Sequence, residues 1–138
     1  MALELVPLCT ATVDDVVSLS LGRTPVGRRV IGLARMCRWE GERLRASGRE
    51  LAEDWLAVAP DGTGMVDARL VLETDDGALI AVRYTGRADM RAEGSPVFYV
   101  TPQFETADER YTWLNKIQAV AKGTVRDGRL EYEVYELR

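Results

Sequence analysis

The chain has 138 residues, 46% of them hydrophobic and 29% charged, and a net charge of −4, which is the profile of one globular domain rather than a disordered or membrane chain. Its arginines are scattered among acids instead of forming a basic stripe, which argues against nucleic acid as a partner. Histidine is absent, so Ser-His-Asp and Cys-His catalysis, H-E-x-x-H zinc sites and the His-containing facial triad are excluded within one chain.

The opening segment Met1 to Pro7 has neither a basic n-region nor an extended apolar run, so the expected location is the cytoplasm, with no membrane partner. Extended segments are expected over about Leu3 to Val13, Asp15 to Leu21, Arg28 to Trp39, Leu44 to Leu51 and Leu56 to Ala59, from their β-branched and aliphatic content. Cys9 and Cys37 have no C-x-x-C spacing and no histidine to complete a zinc site, and are expected to be reduced and mostly buried. No Gly-rich phosphate loop occurs, so no nucleotide cofactor is implied.

Three Asp-Gly pairs, Asp61-Gly62, Asp76-Gly77 and Asp127-Gly128, lie between such runs and mark hairpins. The central hairpin is expected to join Met65–Thr74 to Ala78–Thr85, and the last to join Lys116–Val125 to Arg129–Leu137. A two-residue loop at Asp76-Gly77 pairs Asp75 with Ala78, Val71 with Val82 and Arg69 with Tyr84. One face then carries Asp67, Arg69, Val71, Ile80, Val82 and Tyr84, an apolar wall with a few polar groups, as pockets have. A solvated face with an ordinary ion pair accounts for the same pattern.

A further strand is expected over Val97 to Pro102. The segment from Pro102 to Asn115 then crowds acids, aromatics and an amide. Thr106 and Glu109 have capping-box spacing, which predicts a short helical turn near 106–110 with Glu105 beside its start. If Tyr111 to Asn115 is extended, Tyr111, Trp113 and Asn115 share a face. The whole is predicted to be all-β, an antiparallel meander of about 8–10 strands closed into a small barrel, because closure removes the edge strands.

Trp55, Pro60-Asp61-Gly62, Asp67-Ala68-Arg69, Thr74-Asp75-Asp76-Gly77-Ala78, Pro102-x-Phe104-Glu105-Thr106, Tyr111-x-Trp113-Leu114-Asn115 and Val134-Tyr135-Glu136 together resemble the DUF3237 family, also called UPF0311. The resemblance implies a small β-barrel, an oligomeric assembly with a dimer foremost, and no settled family-wide activity. Around Val120-Ala121-Lys122-Gly123 the chain departs from that pattern, where a Gly-rich turn is expected and Lys122 stands instead.

Glu105 is the leading acid/base candidate, with Asp67 beside it. Arg69 and Asn115 could stabilise developing negative charge, while Tyr111, Trp113, Tyr84 and Trp55 could hold a flat substrate. Each has a structural alternative: a cap for Glu105, an ion pair for Asp67 with Arg69, core packing for the aromatics, a turn for Asn115. The expected function is a cofactor-independent enzyme acting on an aromatic or polyketide-like small molecule by isomerisation, cyclisation, lyase or hydrolytic chemistry. A non-catalytic ligand-binding barrel and an oligomeric interaction module are the rivals.

Overall fold

The computed structural model describes residues 1–138, apart from the side chains of Asp15 and Leu51. Nine strands run in chain order: β1 (Leu5–Thr24), β2 (Gly27–Glu40), β3 (Arg45–Val58), β4 (Thr63–Thr74), β5 (Leu79–Asp89), β6 (Phe98–Val100), β7 (Gln103–Glu105), β8 (Ala119–Arg126) and β9 (Arg129–Leu137). Neighbours in sequence pair antiparallel from β1 to β5, β9 returns to β1, and β6 bridges β5 to β8. Because β6 and β7 lie end to end along β5, the ring closes as an eight-stranded barrel, and closure satisfies backbone groups that a flat sheet would leave at its edges.

Several expected segments merge. The two N-terminal runs form one strand of 20 residues, bent by register shifts between Pro7 and Cys9 and between Ser20 and Gly22. Proline, which lacks an N–H, sits at the first of these irregularities. The two runs between Leu44 and Ala59 likewise form the single strand β3, which shifts register between Arg49 and Glu53 and holds Glu50 at φ 59°.

The Asp-Gly turns divide into two kinds. Asp127 and Gly128 both have positive φ, 52° and 74°, and make a two-residue loop between Arg126 and Arg129, the mirror-image turn suited to strand twist. At Asp76-Gly77 only the glycine is left-handed, φ 94°. The loop is therefore three residues long: Thr74 N–H donates to the Ala78 carbonyl at 2.8 Å and Gly77 N–H to the Thr74 carbonyl at 2.9 Å. Thr74 fixes it further, its hydroxyl donating to Asp76 at 2.6 Å and accepting from Ala78 N–H at 2.7 Å.

That extra residue corrects the expected register. Arg69 pairs with Arg83, Ala68 with Tyr84 and Val71 with Ala81, and a slip of one exchanges the two faces of one strand relative to the other. Ala68, Leu70 and Leu72 thus face inward with Ile80, Val82 and Tyr84, while Asp67, Arg69 and Val71 share the outer surface with Leu79, Ala81 and Arg83. The expected common face of Asp67, Arg69 and Tyr84 does not exist.

One end of the barrel is filled. Trp39 meets Phe104 edge-on at 6.0 Å between ring centroids, and Leu44, Leu72, Ile80, Leu114 and Val134 are fully buried in the same core. Leu114 arrives on a 3₁₀ turn, Thr112–Lys116, so the helical turn lies after 106–110 and the expected extended segment Tyr111–Asn115 is not a strand. Asn115 explains the fold-back: its Oδ1 accepts Thr106 N–H at 2.8 Å and its Nδ2 donates to the Thr106 carbonyl at 2.9 Å.

Candidate functional site

The other end of the barrel is hollow, because the side chains facing inward there are small. The registers align Ser18, Gly32, Asp54, Ala68 and Tyr84 in one cross-strand row. Gly32 and Ala68 flank Asp54, and Ala34 and Ala52 occupy the adjacent row. Neighbouring strands are about 4.8 Å apart, so glycine and alanine on both sides leave open space around the carboxyl group. The resulting cavity, about 90 Å³, is lined by Val13, Val16, Cys37, Leu70, Tyr84 and Tyr132 as well as Gly32, Ala34, Ala52, Asp54 and Ala68.

Asp54 is the unusual member. Its Oδ1 is buried with no hydrogen-bond partner, which costs free energy that folding alone does not require. Burial pushes its pKa up to about 6, the Asp67 amide opposing the shift and the Asp67 charge adding to it. A carboxyl in that range exists in both forms near neutral pH and exchanges a proton readily.

Two phenols face it. Tyr84 and Tyr132 are buried, their rings 5.7 Å apart and tilted by 58°. Burial, with the Asp54 charge adding to it, raises both hydroxyls above the usual tyrosine value, so both stay protonated and able to donate. Tyr132 fits because Gly123 stands opposite it on β8; a Cβ there would come within 2.5 Å of the Tyr132 ring. The Val120–Gly123 segment is therefore strand rather than a Gly-rich turn, and its glycine makes room for a lumen aromatic. Cys37 also lines the cavity, its thiol held neutral by burial, while Cys9 is buried in the core and its thiol is pushed up to about 12 by burial.

Of the candidate catalytic and substrate-binding residues named from the sequence, Tyr84 alone lines this cavity. Asp67, Arg69 and Glu105 are exposed on the outer surface. Arg69 and Glu105 border an open groove of about 830 Å³ with Arg49, Arg83 and Gln103. Arg83 lies 3.9 Å from Asp67, and Arg49 lies 3.4 Å from Glu73. Water screens such exposed charges, which makes this groove the weaker setting for proton transfer despite its size.

Trp55 is also outside, under the Arg29 guanidinium at 5.9 Å, and Arg29 donates to the Trp55 carbonyl at 2.8 Å. Tyr111 is anchored by its hydroxyl to the Asp76 carboxylate at 2.9 Å. Trp113 lies under Arg43 at 4.9 Å, and Arg43 in turn pairs with the buried Glu136 at 2.9 Å. With Asn115, Tyr111 and Trp113 fix the 3₁₀ turn against the filled end. Asp54 and Tyr132, which sequence reasoning missed, had one legible signal: Ala52, Asp54 and Leu56 alternate with the outward Glu53 and Trp55, so an acid stands in the apolar phase of β3.

Among the described residues no group of three His, Cys, Asp or Glu side chains converges as a metal site, and no helix is long and apolar enough to cross a membrane.

A hydroalkoxylation enzyme of Penicillium herquei is 37% identical over 59 residues, a match covering 43% of this chain and 34% of that protein. A UPF0311 protein of Bradyrhizobium diazoefficiens is 30% identical over 145 residues, covering 93% of this chain and 91% of the relative. A crystal structure of a β-barrel-like protein from Acinetobacter baumannii superposes with a TM-score of 0.91 at 29% identity, covering 100% of this chain and 98% of that one. The model of the DUF3237 family, described as a protein of unknown function, matches residues 2–137, and the chain belongs to that family.

Proposed function

We propose that the protein is a small-molecule enzyme that works without a cofactor, by proton transfer in the barrel lumen. The observation that carries this reading is the unpartnered Oδ1 of Asp54, buried in a cavity opposite Tyr84 and Tyr132. Perturbed acids in a cleft are candidates for catalysis, and the similarity to a hydroalkoxylation enzyme supports a reaction of the same kind: addition of an O–H bond across a carbon–carbon double bond.

In that reaction the Asp54 carboxylate takes the proton of a substrate hydroxyl, and the oxygen attacks the terminal carbon of an alkene conjugated to a carbonyl. A C–O bond forms as the π bond breaks, and the electron pair moves to the carbonyl oxygen. Tyr84 and Tyr132 donate hydrogen bonds to that oxygen where charge develops. Asp54 then returns its proton to the adjacent carbon. No oxidant or reductant enters, and Asp54 ends as it began.

The lumen limits what can enter. An apolar cavity of about 150 Å³ holds a benzene molecule, and this one is about 90 Å³, so an aromatic or polyketide-like substrate would place its reacting end inside and its bulk at the mouth. The cavity is lined by no Arg or Lys, which favours an uncharged reacting end.

The test is a panel of uncharged hydroxy-enones, phenols bearing a conjugated enone among them, incubated in D₂O and read by NMR for ring closure with deuterium at the new C–H. Turnover is expected for wild type and for Glu105→Gln, and is expected to be lost in Asp54→Asn. Turnover that survives Asp54→Asn refutes the role. A ligand that binds in the lumen without reacting, displaced equally from both proteins, would favour a non-catalytic binding barrel.

A further inference from the structure

One long edge of this barrel is unpaired. β1 pairs with β9 only from Leu5 to Val13, whereas it pairs with β2 from Thr10 to Thr24. Among the described residues, β1 therefore has a neighbour on one side alone from Asp14 onward, and its other side presents free backbone donors and acceptors. Exposed strands of this kind are normally protected by charges, prolines, bulges or short length, and the device this strand carries is the irregularity between Ser20 and Gly22 at its far end. Here the six residues Val16-Val17-Ser18-Leu19-Ser20-Leu21 carry no charge and no proline, and Val16, Leu19 and Leu21 are 50%, 50% and 54% exposed.

We infer that this edge pairs with the same edge of a second copy, in antiparallel register about a two-fold axis near Leu19. Charge order selects both the occupant and the direction. The run is bounded by Asp14-Asp15 at one end and Arg23 at the other, with Asp14 held within the chain by Arg129 at 2.9 Å, so antiparallel self-pairing brings the acidic end of each strand toward the partner's Arg23, while parallel pairing sets like against like. On the regular part of the strand, before the shift between Ser20 and Gly22, the same register sets Leu19 against the partner's Leu19 and Ser18 against the partner's Ser20, apolar with apolar and hydroxyl with hydroxyl. Such an interface is isologous and closed, and it produces a dimer rather than a fibre.

The pairing also bears on the lumen. Val13 and Val16 line the cavity and stand on this strand, at the place where β9 stops pairing. A partner strand laid beside β1 covers the side of the cavity that β9 leaves open. The interface itself does not depend on whether the cavity is catalytic.

The test is native mass spectrometry and light scattering of the full chain at micromolar concentration. Wild type is expected to be a dimer. Leu19→Lys, at an exposed position that does not disturb the core, is expected to be a folded monomer, because the two-fold axis sets the two lysines face to face. Arg23→Asp is expected to weaken the dimer at least tenfold, and the swap Asp15→Arg with Arg23→Asp to restore it. A wild-type monomer, or a dimer that Leu19→Lys leaves intact while circular dichroism shows it folded, overturns the inference.

Discussion

Replacing Asp54 by asparagine should make the protein less sensitive to pH while removing its activity. Asp54 has a folded-state pKa of about 6 against an ordinary value of 3.8, raised first by burial. An acid whose pKa is raised on folding is bound to its proton more tightly in the native state, so the unfolded state holds fewer protons between the two values. Stability is then greatest at low pH and falls as the pH rises from about 4 through 6. At 1.36 kcal/mol per pKa unit, linkage gives a loss of about 2–3 kcal/mol between pH 4 and pH 8. The Asp54→Asn variant would carry no such loss, because the amide does not ionise. Urea unfolding of both proteins at pH 4 and pH 8 measures the difference, and the comparison cancels every other titrating group. The stability gap between Asp54→Asn and wild type should move by about 2–3 kcal/mol in favour of the variant at the higher pH. A gap that stays constant across that range would show that Asp54 titrates normally and is solvated.

Tyr84→Phe should leave the fold in place at a cost of about 1 kcal/mol and lower kcat by one to two orders of magnitude, read from turnover of any substrate found for the wild type. Gly123→Ala should cost about 1–3 kcal/mol, because its Cβ meets the Tyr132 ring at 2.5 Å; combination with Tyr132→Leu should recover part of that loss, so the two changes are non-additive in thermal melts. Asn115→Ala strips both hydrogen bonds from the Thr106 backbone and should destabilise by about 1–3 kcal/mol, a loss seen in unfolding and not in the pH profile of turnover.

The barrel was legible because its signals are local. Alternating apolar residues and Asp-Gly turns define most strands, and the Asp127-Gly128 hairpin forms where expected, its loop two residues long. What sequence could not supply was the length of the other central loop. The chain reads equally well with a two- or three-residue loop at Asp76-Gly77, and the choice rests on a Thr74 hydroxyl that bonds within the turn. A one-residue difference there moved Asp67 and Arg69 away from Tyr84 and onto the outer surface. The segment Tyr111–Asn115 was misread for a related reason: alternation was its only guide, while its conformation is set by Asn115 reaching back to Thr106, nine residues away.

The site was less legible than the fold, since it is built from residues chosen for what they lack. Gly32, Ala34, Ala52 and Ala68 make the cavity by being small, and nothing in a single strand tells a small residue that lines a hollow from one that packs tightly. Asp54 falls between the two segments expected as strands, Leu44 to Leu51 and Leu56 to Ala59, where no alternation was read. Only the closed ring shows that β3 turns it inward, opposite Tyr84 and Tyr132, with Trp55 turned out under Arg29.

The most direct measurement is the pKa of the Asp54 carboxyl itself, followed by ¹³C NMR of labelled aspartate in wild type and assigned by its loss in Asp54→Asn. A titration near 6 is expected, with Tyr84 and Tyr132 shifts moving in the same step. A midpoint near the ordinary value of 3.8, with the two tyrosines unresponsive, would contradict the lumen carboxyl as the proton-transfer group.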